Sequence, residues 1–388
     1  MNSGPGGVVT TAQRGFIAAG AALVVASGAA SAAGAPDVVR FAISGLAMAA
    51  LAALVGQALD QMGSCLRPGS TGLLQATLGN LPELLFSIFA LRAGLVGVVE
   101  AALIGSVLGN LLLVLGVAFA FGAARHGTQS FEPEAPRMSL SLMVLAVASM
   151  AVPTLAVRLN TPVARHAGAV SDVAAVVLLV VYLASIPFWL LSGPARSGGR
   201  PGRPAEGAAS GYKAKASAAT QGDHRLPLGQ GRQRPNWPLV LPLAVLIAAS
   251  GASALVSKWF VAALEPATRS LGISPVFTGL VIVAVASNAV EHAAGVWLAW
   301  KARPDYALST ILNSPLQIAL VLTPVLVLAS PALGPAPLVL VFKPMLVAAL
   351  AIATLAVTIV IYDGEYSWLE GVSLVALYVV IASAFWWG

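Results

Sequence analysis

Two acidic residues lie inside long apolar stretches of the sequence, where an ionisable side chain is unexpected. Glu83 belongs to the stretch GNLPELLF at 79–86, and Glu291 belongs to the stretch SNAVEHA at 287–293. If these stretches cross a membrane, each carboxylate costs roughly 3 kcal/mol on insertion scales. Either acid alone could sit near an interface and reach water, but two acids with matching surroundings indicate a functional site.

An internal repeat relates the surroundings of the two acids. An offset of 208 residues relates three pairs, namely Asn80 with Asn288, Glu83 with Glu291, and Ser106 with Ser314. In both halves the carboxylate precedes the serine by 23 residues, and a short polar turn separates two apolar runs. Each half therefore carries Asn-x-x-Glu on one predicted helix and Ser on the next.

The residue types in the repeat predict a site for a hard cation. Positions i and i+3 share a helix face, so the Asn oxygen and the Glu carboxylate of each half can point at one site. The candidate set comprises Glu83, Glu291, Asn80, Asn288, Ser106 and Ser314, with Asn110 and Gln317 one turn beyond the serines. About six to eight oxygen ligands suit Ca²⁺, whereas zinc prefers nitrogen or sulfur and His292 is the only nearby nitrogen ligand in the sequence.

The same pair of carboxylates predicts coupling to protons. A bound cation neutralises both acids, and two neighbouring anions in a poorly solvated site favour protonation once the cation has left. Cation and proton then compete for the same oxygens, which gives exchange if one of them must be bound for the site to change sides. His292 either relays protons or gates the site, since histidine titrates near neutral pH, or it has only a packing role.

The composition predicts the environment that these residues occupy. Charged residues make up 9% of the 388 residues and hydrophobic types 58%, and the mean hydropathy is +0.87. A soluble domain carries about 25% charged residues, and a soluble core of this length could not bury so much apolar side chain. The single cysteine, Cys65, excludes an internal disulfide framework and a cysteine-built metal site. The chain is therefore predicted to be an all-α polytopic membrane protein, and a soluble two-domain enzyme is excluded.

Apolar runs of about 20 residues, the length that spans a bilayer, predict eleven transmembrane helices. They lie at approximately 15–34, 39–61, 71–92, 95–122, 138–157, 168–192, 237–260, 274–300, 306–330, 337–361 and 368–387. The repeat offset spans five of these segments, and an odd number inverts the second copy, as in secondary transporters. Pro82 and Gly79 are expected to interrupt regular helix hydrogen bonding beside Glu83.

The predicted helices divide the chain into four regions. An N-terminal helix at 1–38 precedes a first five-helix repeat at 39–193, a linker at 194–236 and a second five-helix repeat at 237–388. The first region is interpreted as a retained helix or as a signal-like segment with a small-residue cleavage site.

The linker at 194–236 carries all of the excess charge. It holds eight basic and two acidic residues, a net charge of +6, and the rest of the chain has 13 of each sign. Positive connections stay on the cytoplasmic side, so the linker is predicted to be cytoplasmic, and contact with anionic lipid headgroups is the alternative. The linker lacks the interleaved aromatics and the folded module that a nucleic-acid partner would need. A bacterial cytoplasmic membrane is the expected location, and homo-oligomerisation is left open.

Three stretches resemble the CAX type of cation/proton exchangers within the Ca²⁺/cation antiporter superfamily. They are 79–116, which begins GNLPELLF, 288–328, which begins NAVEHAAG, and 363–378, which reads DGEYSWLEGVSLVALY. The resemblance implies exchange of Ca²⁺ for protons, with Ca²⁺ as cargo and no resident cofactor. It implies that Glu83 and Glu291 are the central carboxylates, and it implies roles for Asn80, Asn288, Ser106, Ser314, Gln317 and His292.

The sequence departs from that family at several positions. Ser287 stands where the family usually has Gly, Asn313-Ser314-Pro315 replaces Gly-Ser-Ser, and Gln57 stands where Glu is more usual. Exchange of Na⁺, K⁺ or Mn²⁺ on the same fold therefore stays open. An intramembrane hydrolase or a cation channel is a remote alternative, because the sequence pairs no nucleophile with a base and a two-lobed repeat suits alternating access.

Overall fold

The computed structural model describes residues 11–65, 78–191 and 240–387. The described part of the chain forms helices and one short antiparallel sheet, in which β1 (Gln129–Ser130) pairs with β2 (Glu365–Tyr366). The helices are α1 (Thr11–Ala32), α2 (Asp37–Cys65), α3 (Leu81–Arg92), α4 (Val96–His126), α5 (Glu134–Arg158), α6 (Ala167–Leu191), α7 (Val240–Leu271), α8 (Pro275–Ser287), α9 (Ala289–Trp300), α10 (Pro304–Leu333), α11 (Pro344–Ile361) and α12 (Trp368–Ala384).

The lengths and composition of these helices confirm a helical polytopic membrane protein. Eight helices of the described residues are long and apolar enough to cross a membrane, and α8 and α9, bent by 64°, form a ninth span if they are taken together. The 17-residue α12 is shorter but also apolar. The predicted third segment, 71–92, lies partly outside the described residues, as does the linker at 194–236. The count of eleven helices therefore stays a prediction.

One end of the helix bundle is closed by the small sheet, and we call it the sheet end. Gln129 pairs with Tyr366, the Glu132 backbone N–H donates to the Asp305 carboxylate at 2.8 Å, and a His126 ring nitrogen lies 3.0 Å from the Trp300 carbonyl oxygen. Helices α5 and α6 have 25 residues each, roughly 37 Å at 1.5 Å per residue, and so each crosses the bundle once. The last residue of α6, Leu191, therefore lies at the sheet end.

The far end of the bundle is filled by an extended segment before α11. Leu338, Leu340 and Phe342 are buried there. Hydroxyls on three helices bind its backbone, because an extended segment has no helical partners of its own. The Ser330 Oγ accepts from the Leu338 N–H at 2.8 Å, and the Ser171 Oγ accepts from the Leu340 N–H at 3.0 Å.

The helix bounds repeat with the offset seen in the sequence. α3 and α9 both have 12 residues and are related by 208 positions, as are the first residues of α4 and α10. α9 ends at the sheet end, whereas α3 ends beside the start of α4, at the far end. The two copies therefore run in opposite directions, as an inverted repeat requires.

Each of three helices, α4, α8 and α10, is interrupted by a single π-helical turn. It lies at Gly109–Val114 in α4, at Thr278–Val283 in α8 and at Ile318–Leu322 in α10. A π turn accommodates one additional residue and is frequent at functional sites. Two of these turns follow Ser106 and Ser314 by about one helical turn, so they lie next to the candidate site.

Backbone-to-backbone contact of α4 with α8 brings the two repeats close together. A Cβ atom added at Gly105 would lie 2.2 Å from the Leu280 carbonyl oxygen, and one added at Gly279 would lie 2.7 Å from the Val98 carbonyl oxygen. Small residues permit such close helix packing in membranes. On the other side, α2 packs along α7, with Phe41 stacked on Phe260 at a ring separation of 4.6 Å.

Candidate cation-binding site

Each glutamate lies in the first turn of a short helix that begins at an asparagine. Asn80 is the N-cap of α3 and Asn288 is the N-cap of α9, which makes Glu83 and Glu291 the third residue of their helices. The first-turn N–H groups of a helix are free of intrahelical partners and favour negative charge. Pro82 is accommodated in this first turn because its missing N–H is not needed there, so the interruption of the helix lies before α3, at Gly79 and Asn80, and not at Pro82 itself.

The two carboxylates lie close enough for electrostatic repulsion between them. Glu83 is 5% exposed, and its Oε1 is buried with no hydrogen-bond partner in the described part of the chain. Glu291 is partly buried, and its Oε2 is likewise shielded and without a partner among the described residues. Buried polar atoms are nearly always paired, so one oxygen of each acid is available for a cation or a proton.

Two serines lie beside the carboxylates, Ser287 beside Glu83 and Ser314 beside Glu291. The Ser287 hydroxyl also lies 2.9 Å from the Val283 carbonyl oxygen. The Ser314 hydroxyl lies 3.3 Å from the Asn288 Oδ1. Each hydroxyl has a single proton to donate. The serines therefore supply fewer protons than the site has oxygens. The remaining oxygen lone pairs are available to bind a cation.

The asparagines connect the two repeats directly. The Asn288 Nδ2 donates to the Ser106 Oγ at 3.0 Å and to the Ala284 carbonyl oxygen at 2.9 Å. The Asn80 Nδ2 donates to the Gln317 Oε1 at 3.2 Å. Neither asparagine caps its own helix with its side chain. The Asn288 Oδ1, the atom that would accept from the helix, instead accepts from Ser314.

Seven of the predicted residues thus take part in contacts within the site, and several of these contacts join the two repeats. They are Asn80, Glu83, Ser106, Asn288, Glu291, Ser314 and Gln317. Asn110 lies beside them in the π turn of α4, where its Nδ2 donates to the Ser106 carbonyl oxygen at 2.9 Å and its Oδ1 is buried without a partner among the described residues. Within the described ranges, no group of three or more His, Cys, Asp or Glu side chains forms a metal cluster. The site has two carboxylates and neutral oxygens.

His292 faces a different space from its neighbour Glu291. The ring lines a cavity of about 550 Å³ between α4 and α9, together with residues such as Val114 and Val296. Its Nε2 is buried and has no hydrogen-bond partner among the described residues. Adjacent helix residues point about 100° apart, which explains the separation.

Ser287 is the site residue that sequence reasoning missed. Its position is related by the repeat offset to Gly79, and in the sequence it stands out only as a departure from a family pattern. At the break between α8 and α9, Ser287 lies beside Glu83 of the other repeat. The one signal in the sequence is its position next to Asn288.

Comparison with known proteins gives a consistent set of relatives. The profile described as "Sodium/calcium exchanger protein" matches residues 37–191 and 241–387. The chain is 37% identical over 346 residues to a Ca²⁺/H⁺ antiporter of Synechocystis sp., covering 89% of this chain and 90% of the relative. It is 31% identical to the Ca²⁺/H⁺ antiporter ChaA of Bacillus subtilis, covering 90% and 92%.

Solved structures agree with these relatives. The structure of native YfkE superposes with a TM-score of 0.76 at 30% identity, covering 96% of this chain and 99% of that one. The structure of the H⁺/Ca²⁺ exchanger CAX superposes with a TM-score of 0.69, covering 97% and 92%; its 14% identity shows the shared fold alone. With a family profile matched over both halves and relatives similar over nine tenths of their length, the chain belongs to the sodium/calcium exchanger family.

Proposed function

We propose that this chain is an antiporter that exchanges Ca²⁺ for protons, with Glu83 and Glu291 binding either the cation or the protons. The observation that carries the proposal is the pair of neighbouring carboxylates, one from each inverted repeat, each with a shielded oxygen that lacks a partner among the described residues. Relatives of nearly the same length that are called Ca²⁺/H⁺ antiporters support it.

The charge of the site explains the coupling. One Ca²⁺ balances two carboxylates, and so do two protons, so both loaded states are neutral. The empty site would leave two anions in a poorly solvated space, which is unfavourable. The change of the empty site from one side of the membrane to the other is therefore suppressed. Cation movement in one direction then requires proton movement in the other.

The neutral oxygens complete the cation's coordination. Ca²⁺ prefers several oxygen ligands in a flexible arrangement, and Ser287 and Ser314 lie beside the carboxylates. When Ca²⁺ is bound, each hydroxyl can turn its lone pairs to the ion and its proton to a carbonyl or amide oxygen. When protons are bound, the same hydroxyls can hydrogen-bond to the carboxyl groups.

The sheet end is proposed to face the cytoplasm. The sequence of the linker at 194–236, with its net charge of +6, follows α6, which ends on this side of the bundle. Positive connections are retained on the cytoplasmic side of a membrane. The relatives from Synechocystis and Bacillus are bacterial, so the proposed location is the bacterial cytoplasmic membrane.

Uptake of radioactive Ca²⁺ into proteoliposomes with an imposed pH gradient tests the function. The expected result is gradient-dependent uptake by the wild type and none by Glu83→Gln or Glu291→Gln. Glu134→Gln, at the exposed start of α5, is the matched control and is expected to transport normally. If Na⁺, K⁺ or Mn²⁺ moved protons and Ca²⁺ did not, the assignment of the cation would be wrong and the exchange mechanism would stand.

A further inference from the structure

The cavity beside His292 opens as a groove on the bundle surface between α4 and α9. Apart from His292, its lining is apolar or aromatic: Leu113, Val114, Val117, Ala293, Val296, Trp297 and Trp300. From His292 to Trp300 the groove follows α9 for about 12 Å, at 1.5 Å per residue. A volume of about 550 Å³ is within the range of ligand sites. We call it the α4–α9 groove.

Two cations stand at the sheet end of the groove. The Arg125 guanidinium lies 4.4 Å from the centre of the Trp300 ring, and the Lys301 ammonium lies 4.7 Å from that of Trp297. Both cations are exposed, and neither forms an ion pair within the described residues. Cation–π contacts hold them over the two indole rings, so positive charge is fixed where the groove opens.

The arrangement matches the chemistry of a phospholipid. Trp and Lys or Arg mark the level of lipid headgroups at a membrane interface, and Trp297 is 60% exposed. The apolar groove runs from this level toward the middle of the bilayer, which is the direction of an acyl chain. We propose that the α4–α9 groove binds an anionic phospholipid, with its headgroup on Arg125 and Lys301 and one acyl chain extending toward His292.

A lipid fits this groove better than the other occupants do. At the inner end of the groove, water would find one polar lining side chain, His292, among Leu113, Val114, Ala293 and Val296, whereas a buried water needs two to four polar partners. A second copy of the chain would have to bring acidic groups to both cations. Since the chain of the proposed lipid would end beside the neighbour of Glu291, its presence would also restrain α9, the helix that carries that carboxylate.

Native mass spectrometry of the full chain in a neutral detergent tests the proposal. The probes are palmitoyl-oleoyl phosphatidylglycerol and the phosphatidylcholine with the same chains. We expect tighter binding of phosphatidylglycerol, weakened about five-fold by Arg125→Gln and about five-fold by Lys301→Gln. Arg303→Gln removes an equal charge from an exposed residue at the same end that makes no aromatic contact in the described chain, and it should leave binding unchanged.

A variant that fills the groove separates shape from charge. Ala293→Trp keeps both cations and is expected to abolish the tightly bound phosphatidylglycerol. Trp259, which lies in α7 against Gly28 of α1 and does not line the groove, supplies the control. Phosphatidylglycerol with bromine in its acyl chains should quench tryptophan emission less in Trp297→Phe/Trp300→Phe than in Trp259→Phe. Equal loss of binding in Arg125→Gln and Arg303→Gln would overturn the proposal, and so would unchanged binding in Ala293→Trp. A mass spectrum that showed a dimer of the chain without bound phosphatidylglycerol would also overturn it.

Discussion

Substitution of Gly105 by Ala is predicted to damage folding and transport together, because α4 and α8 touch at this residue. The new Cβ would lie 2.2 Å from the Leu280 carbonyl oxygen, and 2.5 Å and 2.6 Å from backbone carbons of the same residue. Ordinary contact begins near 3.4 Å, so the helices must separate by about 1.2 Å at this point. Backbone atoms cannot turn aside as a side chain would, and overpacking of this kind costs about 1–3 kcal/mol.

The separation of α4 from α8 would also displace residues of the cation-binding site. The neighbouring Ser106 Oγ accepts from Asn288 at 3.0 Å, and a displacement of about 1.2 Å would take this pair beyond hydrogen-bond range. A buried donor that loses its partner costs a further 1–3 kcal/mol or so. The expected total is about 2–6 kcal/mol of folding free energy, together with loss of most Ca²⁺ uptake, since α8 and α9 carry Ser287, Asn288 and Glu291.

Fluorescence-detected thermal unfolding in detergent and Ca²⁺ uptake into proteoliposomes measure the two effects. Gly97→Ala is the matched control, because it lies in the same helix and an added Cβ would meet nothing within 4 Å. It should be neutral or stabilising by up to about 1 kcal/mol, as expected for Gly to Ala in a helix. If Gly105→Ala unfolded and transported like Gly97→Ala, the close contact of α4 with α8 would be refuted.

Three further predictions concern the site and the sheet end. Ser287→Ala removes a hydroxyl oxygen beside Glu83, so the KM for Ca²⁺ should rise about five-fold, equivalent to about 1 kcal/mol; an unchanged KM would argue against this ligand. Exchange of one Ca²⁺ for two protons moves no net charge, so a potential set with K⁺ and valinomycin should leave initial uptake unchanged, and strong dependence on it would contradict the neutral loaded states. Burial and Asp305 raise the pKa of Tyr366 to about 12, and its hydroxyl is buried with no partner in the described chain. Tyr366→Phe should therefore change the free energy of unfolding by less than about 1 kcal/mol or stabilise the protein. Phe119→Ala, which removes the ring stacked on Tyr366 at 4.0 Å, should cost about 3–5 kcal/mol in the same assay.

The acid pair could be predicted from the sequence because its information is local and repeated. Asn80 and Glu83 share a helix face by simple periodicity, and the 208-residue offset supplies the second copy. Apolar composition then fixes helices as the elements that carry them. Neither feature depends on how the helices pack against one another.

Other features of the site depend on packing and could not be predicted. The π turns in α4, α8 and α10 accommodate one extra residue each, which a pattern of apolar residues does not reveal. The role of Ser287 requires the 64° bend between α8 and α9. The direction of His292 into the α4–α9 groove depends on which face of α9 meets α4, and the sequence leaves that face undetermined.

Proton release on Ca²⁺ binding tests the central claim most directly, because it needs no vesicle and no gradient. The purified chain in weakly buffered detergent receives Ca²⁺ while a pH indicator dye reports released protons and the bound ion is counted separately. We expect release that approaches two protons per bound Ca²⁺ as the starting pH is lowered. We expect no release from Glu83→Gln/Glu291→Gln and normal release from Glu134→Gln. Ca²⁺ binding by the wild type without proton release, or undiminished release per bound ion from the double variant, would contradict competition of cation and protons for this pair.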